Sequence, residues 1–241
     1  MICIVNFKNM MHYEKQLKWL QDIEREFLDF KLLVAPTLPE HNSYHNYEII
    51  AQNISLVQRT VGEVSASVLN GLKIQYAFVG HLERRRLLNE TTDLINERLI
   101  NCLDNHIVPI ICLGIHSGPD LVIRELKSIL KNSDLSDQRV IIAYESLKST
   151  KYNQSVYSYV EVEAVYLKLK QYMDELTNSS GLSSYHLVMG GHINEEGINV
   201  AEKIGYDGVL IGDRYQEVTS FQPLIKTLNR IKRERLLTHG S

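Results

Sequence analysis

The chain predicts an α/β fold, a (β/α)8 barrel formed as a single domain over residues 1–237, with a shortened second helix and a tail at 238–241. Three observations carry this expectation. Eight short apolar runs recur, and most are continuous rather than alternating, the pattern of parallel strands buried on both faces. Stretches with helical periodicity lie between them. The 241 residues match the roughly 250 that eight β/α units occupy. A doubly wound open sheet is the competing layout. No Pro/Ser/Gly-rich linker, composition shift or short repeat divides the chain.

The strand-like runs are ICIVNF (2–7), KLLVAPT (31–37), YEIIAQN (47–53), YAFVG (76–80), VPIICLG (108–114), RVIIAYE (139–145), HLVMGG (186–191) and GVLIGD (208–213). Residues 12–28 form an amphipathic helix pattern, and 92–105 place apolar residues at helical spacing behind a Thr/Asp start. The stretch 117–132 opens on a capping serine with proline in the first turn. Residues 155–176 form a long helical stretch, 194–205 stop on glycine, and 220–237 close the chain. Between the second and third strands, LPEHNSYHN leaves room for little more than a turn of helix.

Composition excludes several classes of function. Lys and Arg total 26 against 29 Asp and Glu, for a net charge of −3, so nothing points to nucleic acid or a membrane surface. No window reaches the roughly 18 apolar residues of a membrane helix. Cys3, Cys102 and Cys112 sit in apolar runs without metal-ligand spacing. They read as reduced core residues of a cytoplasmic protein.

In such folds the chemistry sits at the carboxyl ends of the strands. Strand one ends in Asn6-Phe7-Lys8, strand four in Gly80-His81 with Glu83 beyond, and strand six in Glu145. Strand seven ends in Gly190-Gly191-His192 and strand eight in Gly212-Asp213. An ammonium, an imidazole and a carboxylate on one rim suit proton transfer. The carboxylate takes a carbon-bound proton, the imidazole donates to a developing oxyanion, and the lysine supplies positive charge. Glycine turns expose N–H groups to an anion. Each residue also has a plainer reading: His81 as a structural hydrogen-bonder, Glu145 as a solvated loop carboxylate, Gly190-Gly191 as a tight turn. Arg84, Arg85 and Arg86 read as a solvated, ion-paired face.

The order NFK, AQN, GEVSASVL, GHLERR, ICLG, AYE, GGHI, DGVLIGD resembles the triosephosphate isomerase family along nearly the whole chain. The most specific segments are GEVSASVL with VGHLERR, similar to the family's G-E-[IV]-S and G-H-S-E-R-R, and VIIAYE, similar to its A-Y-E-P. The resemblance implies a TIM barrel and an aldose–ketose isomerase that acts on a small sugar phosphate without cofactor or metal, as a cytoplasmic homodimer. It makes Glu145 the base, His81 the neutral electrophile, Lys8 the positive charge and Asn6 a substrate holder. Glu83 would hold Lys8 through an ion pair. Gly191, His192, Gly212 and Asp213 would offer backbone N–H groups to the substrate phosphate.

The departures cluster. The family's lid, P-V-W-A-I-G-T-G-K, is here SLKSTKYNQ (Ser146–Gln154). The acidic residue the family places after C-I-G is Ile115, and Met189 and His192 replace the Tyr and Ser of its Y-G-G-S. These changes leave two alternatives open: an isomerase of the same core acting on another small carbonyl substrate, or a non-catalytic homologue used as a binding protein. Asp213 stands where the family has the second glycine of its phosphate cradle. Facing the cleft, its charge would repel an anion by about 4 kcal/mol at about 4 Å and an effective dielectric of 20; facing away, it would not. The stretch between AQN and GE, which in the family reaches into the partner subunit, is shorter than usual.

Overall fold

In the computed structural model, which describes residues 1–57, 60–116, 118–145 and 158–239, with side chains through 237, the eight apolar runs form eight strands. These are β1 (Ile2–Asn6), β2 (Lys31–Ala35), β3 (Glu48–Ile49), β4 (Tyr76–Val79), β5 (Val108–Leu113), β6 (Arg139–Glu145), β7 (Ser184–Gly190) and β8 (Gly208–Ile211). Every pairing between them is parallel, in the order β3-β2-β1-β8-β7-β6-β5-β4. The two ends of this order meet at Ala51. Its N–H donates to the Tyr76 carbonyl and its carbonyl accepts from Phe78 N–H, both at 2.9 Å. That bridge closes the barrel, so the open-sheet layout does not apply.

The strand runs are continuous in apolar residues because both faces are buried. Alternate residues point inward and fill the barrel: Ile2, Ile4, Leu33, Ala35, Ile50, Tyr76, Phe78, Ile110, Cys112, Ile141, Ala143, Val188 and Leu210 form one cluster. Their neighbours in sequence, such as Cys3, Val5, Leu32, Val34, Ile111, Ile142 and Val209, form a second cluster with the helices. The period of two in the pleat generates this division. Continued to the rim, the inward parity of β1 and β6 falls on Asn6 and Glu145, and that of β7 and β8 on Gly190 and Gly212.

Eight helices are present among the described residues: α1 (Tyr13–Ile23), α2 (Ala66–Gly71), α3 (Leu82–Leu87), α4 (Thr92–Asp104), α5 (Pro119–Ile129), α6 (Tyr159–Ser180), α7 (Glu195–Ile204) and α8 (Val218–His239). Thr91 and Asn194 cap α4 and α7 by accepting from Leu94 N–H and Gly197 N–H. Gly205 ends α7 in the left-handed conformation.

Several boundaries differ from expectation. α1 stops at Ile23 because the chain after it is held sideways. The Glu24 carboxylate accepts from His45 and Asn46 N–H, while the Asn46 side chain donates to the Glu24 and Glu26 carbonyls. The same contacts leave no helix in 36–47, where a shortened second helix was expected. Asn42 takes over another backbone donor, Ile49 N–H, and Tyr44 stacks on Tyr47 at 4.4 Å. β3 is accordingly two residues long rather than seven. α6 runs past the expected end at 176 until Gly181 adopts φ 72°. α8 extends to His239, into the expected tail. The capping Ser117, the stretch 146–157 that contains the rewritten lid Ser146–Gln154, and residues 240–241 lie outside the described residues.

The arginine block is corrected as well. Arg86 is exposed, but the Arg85 side chain is 6% exposed and pairs with Glu125, at 2%. Arg84 binds Glu63 and Glu90 at 3.2 and 3.1 Å, and Arg98 binds the same two carboxylates at 2.7 Å each. Arg98 also donates to the Ile54 carbonyl, which pins the chain after β3. Three adjacent arginines on a six-residue helix cannot all face water, and Arg85 is the one turned toward α5. Breaking a buried pair leaves an uncompensated charge, so Arg85→Met is expected to lose about 3–5 kcal/mol, with part recovered in Arg85→Met/Glu125→Met. Denaturant unfolding measures both; a single variant as stable as the parent would contradict the assignment.

Candidate active site

The site is built where β1, β4, β6, β7 and β8 end. Asn6 is the last residue of β1, and its Oδ1 accepts from Lys8 N–H at 2.9 Å. This contact holds Lys8 at φ 52°, in the left-handed region that a lysine rarely occupies. The Lys8 carbonyl is fixed in turn by Thr37 Oγ1 and Gln52 Nε2, each donating at 2.7 Å. Backbone geometry thus aims the side chain at two carboxylates. Lys8 Nζ lies 2.7 Å from Glu83 Oε1 and 3.2 Å from Asp213 Oδ1. Burial works against the ammonium, but the hydrogen bonds and charges of Glu83 and Asp213 outweigh it and hold its pKa above the ordinary lysine range.

His81 caps the start of α3. Its Nδ1 accepts from Glu83 N–H at 3.3 Å, so that nitrogen is the unprotonated one and the proton sits on Nε2. Nε2 points at Glu145 Oε1, 3.7 Å away, and both side chains are nearly buried, at 9% and 13% exposed. Among the described residues Glu145 Oε1 has no hydrogen-bond partner. A buried carboxylate oxygen left in this state is costly and points to function.

Glycines make the room. Glu145 pairs across the sheet with Gly190, where a Cβ would stand 2.7 Å from Glu145 Cγ. Gly114, at φ 120°, lies against the Glu145 backbone, where a Cβ would fall 2.1 Å from its carbonyl oxygen. Gly114 N–H donates to Glu125 Oε2 at 3.4 Å, so the buried Arg85–Glu125 pair braces the turn behind Glu145.

The other end of the cleft is formed by the turns after β7 and β8. Gly191 and His192 both take positive φ, 97° and 50°. Burial, then the charges of Arg214 and Lys8, lower the His192 pKa against the opposing pull of Asp213 and Glu145. The two turns are tied together by Tyr215, whose hydroxyl donates to the Ile193 carbonyl at 3.3 Å. Its own carbonyl accepts from Trp19 Nε1 at 3.1 Å. Trp19 packs on Phe7 and Phe221, which anchors this rim in the shell between barrel and helices.

One cleft of about 290 Å³ is lined by Asn6, Lys8, His81, Glu145, Gly191, His192, Gly212 and Asp213 among others, so the structure brings eight of the nine sequence-predicted site residues together. The ninth, Glu83, lines an adjoining cleft and reaches the first through Lys8. Asp213 faces the cleft rather than away from it. Sequence reasoning missed Gly190, Gly114, Gln52, Thr37 and Tyr215 as supports; for Gly190 the inward parity of β7 is the signal.

Comparison with known proteins decides the relationship. The family model for triosephosphate isomerase matches residues 1–228. The chain belongs to the triosephosphate isomerase family. It is 31% identical over 194 residues to triosephosphate isomerase of Orientia tsutsugamushi (strain Boryong), covering 76% of each chain. It is 29% identical over 252 aligned positions to that of Helicobacter pylori (strain P12), covering 94% of this chain and 99% of the relative. To that of Mycoplasmopsis pulmonis (strain UAB CTIP) it is 28% identical over 216 residues, covering 83% of this chain and 82% of the relative. The fold is the family's TIM barrel, and the family is one of isomerases.

Gly190→Ala is expected to push the Glu145 carboxylate off His81 by roughly 1 Å, a displacement large enough to cost a reacting group about 10²-fold in rate. A crystal structure of the variant measures the shift; an unmoved carboxylate would contradict the steric argument.

Proposed function

We propose that the protein interconverts glyceraldehyde 3-phosphate and dihydroxyacetone phosphate by enediolate proton transfer. The observation that carries this reading is the unpartnered, buried Glu145 oxygen 3.7 Å from His81 Nε2 in a cleft of substrate size. Glu145 takes the proton from the carbon beside the carbonyl and returns it to the neighbouring carbon. His81 donates from Nε2 to the enediolate oxygens as charge develops there, and Lys8 adds positive charge to the same side. A neutral imidazole suits this task, because it gives a hydrogen bond without surrendering its proton to a weak base. Asn6 keeps Lys8 in its strained conformation and meets the substrate. Backbone N–H groups of Gly191, His192, Gly212 and Asp213 receive the phosphate end. The residues themselves supply acid, base and electrophile, and the reading calls for no cofactor or metal.

We also read the protein as a cytoplasmic homodimer. Val57 and Val61, in the stretch after β3, and Leu87 and Leu88, beside the adjoining cleft, are exposed apolar side chains. That cleft shares Asn6, Lys8 and His81 with the first, so a second copy seated on it would shield the site. The three thiols are buried and free, and burial raises their pKa, which suits a reducing compartment. Among the described residues no helix is long and apolar enough to cross a membrane.

The test is a coupled assay of glyceraldehyde 3-phosphate isomerisation with parent, Glu145→Gln and His81→Ala. Turnover is expected in the parent, its loss in Glu145→Gln, and a decrease of at least about a hundredfold in His81→Ala. Undiminished activity in Glu145→Gln would overturn the base assignment. A negligible rate in the folded parent would shift the reading to another small carbonyl substrate or to a binding role.

A further inference from the structure

Lys8 is held by two carboxylates that line different clefts. Glu83, 2.7 Å from Nζ, lines the adjoining cleft and not the one that contains Glu145. Asp213, 3.2 Å from Nζ, lines the Glu145 cleft and not the adjoining one. Glu83 is the nearer anchor of the ammonium and lies outside the Glu145 cleft. Of the two partners, the Asp213 carboxylate is the one that meets Lys8 inside the Glu145 cleft. Lys8 Cε and Nζ run past Gly212, 3.6 Å from where its Cβ would stand. The Asp213 side chain is 30% exposed, so it has open space to turn into.

The charges along this cleft cancel. Lys8 and Arg214 are the cations, and Asp213 and Glu145 the anions. A ligand carrying a phosphate group meets no net side-chain charge there, and Lys8 is already paired. We infer that Asp213 is a resident counter-anion, competing with the anionic group of the substrate for Lys8 and thereby setting the affinity of the cleft for phosphate esters. The inference deepens the proposed function and rests on it for the identity of the substrate, but the competition itself is a property of the cleft.

The sign of one measurement separates this role from a structural one. If Asp213 merely positioned Lys8, removing its charge would loosen the lysine and weaken anion binding. If it competes, the same change tightens binding. Inorganic phosphate is titrated calorimetrically into the full-length parent, Asp213→Asn, Asp213→Gly and Asp213→Glu, with unfolding midpoints confirming that each is folded. The dissociation constant is expected to fall at least about tenfold in Asp213→Asn, which keeps size and removes charge. Asp213→Gly carries the same expectation should Asp213→Asn fail to fold, and Asp213→Glu stays near the parent. In the isomerase assay the gain appears as a lower KM for glyceraldehyde 3-phosphate and stronger inhibition by phosphate. Unchanged or weaker phosphate binding in the folded charge-removing variants would overturn the inference. Tighter phosphate binding without turnover in any form, parent included, would uphold it while overturning the proposed function.

Discussion

The constraint on which the rest of the structure depends is the burial of one carboxylate oxygen, Glu145 Oε1, against an imidazole and without a hydrogen-bond partner among the described residues. An unsatisfied buried polar group costs about 1–3 kcal/mol by mutational measures, and a charged one more. Such a group persists only where its surroundings over-determine it. β6 supplies that determination. It is paired in register on both sides, with β5 through Leu113↔Tyr144 and with β7 through Glu145↔Gly190. The inward parity that buries Ile141 and Ala143 in the barrel carries Glu145 to the same side at the rim. Glycine at 190 and 114 admits the side chain and its backbone, and the Arg85–Glu125 pair closes the far side of that turn.

Electrostatics then arrange the remaining groups around this carboxylate. The neutral tautomer of His81 follows from a backbone N–H donated to its Nδ1, so the fold of α3 fixes a proton position in the site. Lys8 remains charged in spite of burial because two carboxylates hold it. Its backbone is pinned by Thr37 and Gln52, in the segments that follow β2 and β3. The rim formed by the turns after β7 and β8 is anchored from outside the barrel by the Trp19–Tyr215 contact. Shell packing and rim geometry are thereby linked.

Much of this was legible in the sequence because parallel strands buried on both faces leave continuous apolar runs, and polar residues that interrupt them at their ends stand out. Asn6, Lys8, His81 and Glu145 were found in that way, and their convergence followed from topology. Orientation was not legible. Nothing local in GHLERRR says that Arg85 turns to a buried Glu125 while Arg86 faces water, since the partner lies 40 residues on in another helix. The direction of Asp213 depends likewise on Lys8, far away in sequence. The end of α1 at Ile23 and the loss of helix in 36–47 share one cause, the Glu24–Asn46 contacts, and helical periodicity carries no trace of a long-range clamp. The parity of β7 marks Gly190 as inward-facing, but its close approach to Glu145 shows only once β6 and β7 are in register.

The central claim is that the Glu145 carboxylate carries a proton between two substrate carbons, and hydrogen isotope exchange tests it most directly. With dihydroxyacetone phosphate in deuterated water, followed by proton NMR, the account predicts deuterium entering carbon 1 with the parent protein and none above the uncatalysed rate with Glu145→Gln. No incorporation with the folded parent, or equal incorporation with both, would contradict it.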